Sequence, residues 1–187
     1  MPPSPRQIFL IGFMGAGKTT LGRALEARLP GWRYIVLDEE IERGAGMSVP
    51  KIFALYGEKQ FRRMERRALE GVLDRSRVIV GCGGGTPCFF DNMELMNRSG
   101  MTVLLRARNS TLLRRLLAAR DSRPKLRGFS PEEIEGYIVS AQAEREPHYS
   151  LCRATFPSDL LENAAEIEAS CRLFLRRFLP GETVRTL

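Results

Sequence analysis

The chain has 187 residues, with 29 Lys and Arg against 22 Asp and Glu and a formal net charge of +7. That length suits one domain whose core needs no metal or disulfide staple. The cations fall in short scattered pairs (Arg62-Arg63, Arg66-Arg67, Arg114-Arg115, Arg176-Arg177) with no nucleic-acid-reading motif beside them, so neither nucleic acid nor a membrane surface is an expected partner.

Residues 1–7 carry three prolines and no apolar signal core, and read as a flexible tail. No later stretch approaches the about 20 apolar residues of a membrane span. Cys82, Cys88, Cys152 and Cys171 show neither C-x-x-C nor metal-ligand spacing, and the single His148 cannot complete a zinc set. Free thiols in a soluble, cytoplasmic protein are expected.

The first strand-length apolar run is Ile8–Ile11, and Gly12 to Thr19, GFMGAGKT, follows it at once. This is G-x-x-x-x-G-K-[ST], a loop whose amides cradle phosphates, with Lys18 for the outer phosphates and the Thr19 hydroxyl for Mg²⁺. Thr20, Leu21, Ala24, Leu25 and Leu29 then recur at helical spacing, which sets the phosphates at a helix N-terminus. A bound nucleoside triphosphate is the expectation.

Further apolar bursts at Tyr34–Leu37, Val78–Val80, Thr102–Leu105 and Ala154–Phe156 alternate with helical patterns. That alternation predicts an α/β fold, a parallel sheet covered by crossover helices. Ser48-Val49-Pro50 opens a helical segment that Gly57 closes, and Ser130-Pro131-Glu132-Glu133 is a capping box opening a helix towards Glu146. A last helix spans about Leu161 to Phe178, with Ile167, Cys171, Phe174, Leu175 and Phe178 on one face. Between helices, Asp121 to Phe129, DSRPKLRGF, reads as a cationic surface loop, a lid over about 121–130. One domain over 8–179 and a C-terminal tail at 180–187 complete the outline.

Ligands of open parallel sheets bind beyond the carboxyl ends of the strands. Asp38 follows the second strand and Gly83-Gly84-Gly85 the third, so both converge on the phosphate loop. Asp38 is also a natural first-turn or N-cap carboxylate, and the glycines could serve only a tight turn. Arg62 and Arg145 are guanidinium forks able to bind a carboxylate bidentately; by spacing alone either could be a surface residue.

Taken together, GFMGAGKTTLGR, LDEEIE, GEKQFRRME, GCGGGTP, SRPKL and REPHY, in this order from about Ile8 to Tyr149, resemble the shikimate kinases. The resemblance implies transfer of the γ-phosphate of ATP to the 3-hydroxyl of shikimate, in the route to aromatic amino acids. It also implies a nucleoside-monophosphate-kinase-like fold with strand order 2-3-1-4-5. By the resemblance Gly15, Ala16, Gly17, Lys18, Thr19 and Thr20 bind ATP, and Thr19 also binds Mg²⁺. Asp38, Arg62, Gly83, Gly84, Gly85 and Arg145 hold shikimate. Arg123 in the lid reaches the transferring phosphate and Arg115 lies near the adenine. Asp38, Lys18 and Arg123 are the catalytic set, in a protein expected to be a monomer.

The chain departs from the family pattern in three places: Val36-Leu37-Asp38 stands where Asp-x-Asp is usual, Lys125 stands where Leu is common, and no counterpart to the family's adenine-side loop is evident after Tyr149. No Walker-B Asp ends the third strand, as is common in the family. A related gluconate kinase, a nucleotide-driven switch and an inactive relative kept for binding are the competing readings; a guanine-specific Asn-Lys-x-Asp is absent.

Overall fold

Five strands, β1 (Gln7–Ile11), β2 (Arg33–Val36), β3 (Val78–Gly81), β4 (Met101–Arg106) and β5 (Ala154–Pro157), form one parallel sheet in the order β2-β3-β1-β4-β5. The computed structural model describes residues 5–120 and 126–185. The helices are α1 (Lys18–Arg28), α2 (Leu37–Ala45), α3 (Val49–Glu70), α4 (Asn92–Ser99), α5 (Asn109–Ala118), α6 (Pro131–Tyr149) and α7 (Ala164–Phe178). Strand order and parallel direction are those that the sequence and its resemblance imply.

The central strand explains the layers. Every residue of Ile8–Ile11 is fully buried, as a strand covered on both faces requires. Ile8 and Leu10 pack into one layer with Leu21 and Leu25 of α1, Leu116 of α5 and Phe174 of α7. Phe9 and Ile11 point the other way, to Leu69 of α3 and Met93 and Met96 of α4. Beside β1 the sheet continues to β3 on one side and β4 on the other. The crevice at that switch of direction is where an open α/β sheet receives a ligand.

Several boundaries differ from the sequence reading. Strand β2 is Arg33–Val36, one residue earlier than expected, because the buried Leu37 belongs to α2. Asp38 therefore lies in the first turn of that helix. Gly57 adopts φ 73° and ψ 174°, which breaks the helix as expected, but the chain resumes α-helical geometry beyond it. Helix α6 runs through Pro147 to Tyr149, past Glu146, and Tyr149 is 3% exposed. Helix α7 starts at Ala164 rather than Leu161, with the Asn163 side chain accepting from the Glu166 amide at 3.0 Å. The capping box at Ser130 forms in full: its hydroxyl accepts from the Glu133 amide and the Glu133 carboxylate accepts from the Ser130 amide.

Neither expected tail is wholly loose. Gln7 is inside β1, and its side-chain amide donates to the carbonyls of Val72, Leu73 and Arg75. Towards the other end, Glu182 accepts from Trp32 and Arg77, and the Arg185 amide donates to the Arg28 carbonyl at 2.8 Å. All four cysteines are free, and no helix among the described residues is long and apolar enough to cross a membrane.

Candidate active site

The phosphate loop is built to leave its amides open. Gly17 caps α1 at φ 90°, a left-handed conformation that suits glycine. A Cβ there would also lie 2.5 Å from Leu161 Cδ1, so glycine is required twice over. No acidic residue stands in the first turn of α1 and no side chain caps it, which leaves the positive end of the helix dipole for an anion. Lys18 folds back over the loop, donating to the carbonyls of Gly12 at 2.7 Å and Phe13 at 3.0 Å. Ala16 is buried and donates its amide to the Phe13 carbonyl, while the side chains of Thr19 and Thr20 are exposed.

Asp38 and the triple glycine meet this loop from the β3 side. A Cβ on Gly83 would lie 2.9 Å from Glu65 Oε1 and 3.4 Å from Asp38 Oδ1, and one on Gly84 would lie 3.5 Å from the Gly12 carbonyl oxygen and 3.0 Å from Arg145 Nη1. Asp38 Oδ1 is buried and makes no hydrogen bond. Burial pushes the Asp38 carboxyl above the usual carboxylate range, with Lys18 and Arg62 opposing and Glu42 and Glu39 adding to the shift.

Arg62, 8% exposed, is held in a fixed pose. Its Nη1 donates to Glu65 Oε2 at 2.8 Å, its Nη2 donates to Glu58 Oε1 at 3.0 Å, and its guanidinium lies 4.1 Å over the Phe89 ring. Glu65 is fully buried and also accepts from the Thr86 hydroxyl at 2.5 Å. Arg145 lies over the Phe13 ring, 5.1 Å from its centroid. Between the two arginines opens a cavity of about 350 Å³, lined by Glu58, Arg62, Gly85, Cys88, Arg145 and His148 among others. Two cations facing one small polar cavity suit an organic acid.

The structure thus brings Lys18, Asp38, Arg62, Gly83–Gly85 and Arg145 to one edge of the sheet. Arg115 also reaches the loop: it donates to the Gly15 carbonyl at 3.0 Å, to the carbonyls of Ser158 and Asp159, and to Glu162. It ties the phosphate loop to the segment between β5 and α7. Arg123, Lys125 and the first half of the expected lid lie outside the described residues; Leu126, which follows, is buried.

Sequence reasoning missed the groups that hold the site residues in place. Glu65 and Tyr149 stand three and four residues after Arg62 and Arg145, on the same helix faces, and that spacing was the available signal. Phe89, Thr86 and Glu58 carried no signal of their own. Cys88, one of the expected free thiols, lines the acid cavity, with burial pushing its thiol up and Arg145 and Arg62 opposing. Cys82 does pack, in the core beside Met96.

A phosphate loop at the head of a doubly wound parallel sheet, with a cation-lined acid cavity beside it, defines a P-loop kinase of a small molecule. A family model described as shikimate kinase matches residues 14–175. A shikimate kinase of Phocaeicola vulgatus is 46% identical over 164 residues, covering 88% of this chain and 93% of that protein. The crystal structure of the Bacteroides thetaiotaomicron shikimate kinase matches with a TM-score of 0.88 at 39% identity, covering 93% of this chain and 98% of that one. The Acinetobacter baumannii shikimate kinase, solved in complex with shikimate, matches with a TM-score of 0.79 at 30% identity and 94% coverage of each chain. The chain belongs to the shikimate kinase family, and it is an enzyme of ATP-dependent shikimate phosphorylation.

Proposed function

We propose that the enzyme moves the γ-phosphoryl group of ATP to the 3-hydroxyl of shikimate with the residues of this one sheet edge. The observation that carries the assignment is the contact between the two halves of the site: Gly84 packs against the Gly12 carbonyl on one side and Arg145 on the other. Whatever acid Arg62 and Arg145 hold is therefore presented to the phosphate loop.

The amides of Gly15 to Thr20 and the Lys18 ammonium hold the phosphates of ATP. Arg62 and Arg145 clamp the shikimate carboxylate, and Gly83, Gly84 and Gly85 let the ring approach the backbone. Asp38 accepts a hydrogen bond from the acceptor hydroxyl and takes its proton as the phosphorus–oxygen bond forms; its buried, unpaired Oδ1 is suited to that task. Arg123, from the lid, neutralises charge on the transferring group, and lid closure excludes competing water. Arg115 holds the adenine-side segment against the loop.

The donor set suits Mg²⁺ carried in by the nucleotide rather than caged by protein. Thr19 offers an exposed hydroxyl in the first turn of α1, and among the described residues no three His, Cys, Asp or Glu side chains cluster as a metal site. When bound, the ion neutralises charge on the phosphate oxygens. On this reading the enzyme works as a monomer, and its four free thiols support a reducing, cytoplasmic location.

A coupled assay of ADP release, with and without shikimate, tests the reading. Turnover that depends on shikimate supports it. Turnover with gluconate instead, shikimate-independent hydrolysis, or no turnover would each replace it with a competing one.

A further inference from the structure

A threonine hydroxyl that binds a metal ion has two lone pairs and one proton, so it is best oriented when the proton has an acceptor of its own. The obvious places for an acidic acceptor are vacant of acids in this chain. Strand β3 runs Val80-Gly81-Cys82 at its carboxyl end, and Val36 ends β2.

Tyr34 occupies the space. It lies two residues before Val36 on β2, so both side chains leave the same face of the sheet. Its ring enters a slot made by two glycines. A Cβ on Gly22 of α1 would lie 2.1 Å from Tyr34 Cε2, and a Cβ on Gly81 of β3 would lie 2.1 Å from Tyr34 Oη. Alanine at either position would collide with the ring or its hydroxyl. The slot carries the hydroxyl to the floor of the phosphate loop, against the Thr19 side chain.

That hydroxyl is anomalous. It is buried and, apart from the approach of the Thr19 side chain, has no hydrogen-bond partner, although a tyrosine buried in a protein normally satisfies its oxygen. A phenylalanine would fill the same slot without stranding a polar atom.

We propose that Tyr34 is a positioning residue for Thr19: its Oη accepts the Thr19 hydroxyl proton and turns a Thr19 lone pair towards the metal that enters with the nucleotide. This rests on the reading of Thr19 as the Mg²⁺ ligand. In that role a neutral hydroxyl from the sheet orients the ligand where the chain has no carboxylate to do so.

Calorimetric titration of ADP into the protein, with Mg²⁺ and with EDTA, separates this role from packing. Tyr34→Phe keeps the ring in its slot and removes the stranded oxygen, so its melting temperature is expected at or above that of the parent. The gain in ADP affinity on adding Mg²⁺ is expected to shrink about fivefold, the worth of one ordinary hydrogen bond, while affinity in EDTA stays the same. In a Thr19→Val background the Tyr34→Phe change is expected to add nothing. An undiminished Mg²⁺ gain in Tyr34→Phe, an equal loss with and without Mg²⁺, or an added loss in the Thr19→Val background overturns the role of Tyr34 alone. A parent protein whose ADP affinity ignores Mg²⁺ overturns the assignment of Thr19, and the role of Tyr34 with it.

Discussion

The Tyr149 hydroxyl donates to the Gly84 carbonyl oxygen at 2.6 Å, joining the last turn of α6 to the glycine loop after β3. Arg145 lies one helical turn before Tyr149, with its guanidinium against the Tyr149 hydroxyl oxygen. One buried phenol therefore sets both the guanidinium and the peptide that flank the acid cavity. Burial pushes its pKa up to about 12, so it remains a donor throughout the working pH range.

Tyr149→Phe would leave the partly buried Gly84 carbonyl unpaired and Arg145 free to swing. The KM for shikimate is expected to rise about fivefold, for one net hydrogen bond of about 1 kcal/mol, with kcat and the affinity for ADP nearly unchanged. Steady-state kinetics in each substrate checks this, and equal changes in both KM values would point to general loosening instead.

Gly85 is the other hinge of the cavity. A Cβ there would sit 2.6 Å from Arg62 Nη2, and Arg62 cannot retreat cheaply because Glu65, Glu58 and the Phe89 ring hold it. Gly85→Ala is expected to weaken shikimate binding by about tenfold or more, as for loss of a hydrogen bond to a charged group. ADP binding should stay within about twofold, the scale of a site left intact. Titration calorimetry with each ligand reads both.

Asp38→Asn keeps the shape of the side chain and removes the base. Its kcat is expected to fall about 100-fold or more, the usual contribution of a positioned base, with ADP affinity retained. For the parent, kcat/KM for shikimate should fall as pH drops through a value above the ordinary carboxylate range, because Asp38 titrates high. The low-pH limb of the rate profile shows where that fall lies.

The same shift has a sign for stability. A carboxyl whose folded pKa is raised stabilises the fold only while protonated, and that contribution is lost as pH rises through the folded value. Ionised Asp38 is thus a liability at neutral pH, and Asp38→Asn should melt higher than the parent there. The difference should vanish below the ordinary pKa of aspartate, about 3.9. Melting curves at acid and neutral pH decide it.

Val36, at the end of β2 and two residues before Asp38, stands where the Asp-x-Asp implied by the family resemblance would place its first acid. Val36→Asp is expected to lower the free Mg²⁺ needed for half-maximal rate by a few-fold, on the scale of one carboxylate contact to the metal's bound water. Identical Mg²⁺ curves for the two proteins would remove position 36 from the metal's surroundings.

The fold was legible because its signals are local. Each strand burst is a run that only a doubly covered sheet can bury, and the phosphate loop names its own strand and helix. The slips came from residues whose apolar character served another purpose. Leu37 extends the β2 burst in sequence, yet it is the buried first residue of α2. Leu161 looks like the start of α7, yet it seats on Gly17. Hydrophobicity marks burial, and says less about which element does the burying.

The site divides in the same way. The phosphate loop, with its glycines, Lys18 and Thr19, is determined by the chain's local order, since a contiguous motif shapes its own backbone and carries its own chemistry. The acid cavity was decided by tertiary structure: Arg62, Gly84 and Arg145 come from α3, the loop after β3 and α6, and become one site only when the sheet places them together. The same holds for Glu65, Tyr149 and Tyr34, whose effect comes from a bond or slot with residues 12 to 65 positions away. Spacing along a chain reports neighbours on one element; a contact between elements exists only after the core has brought them together.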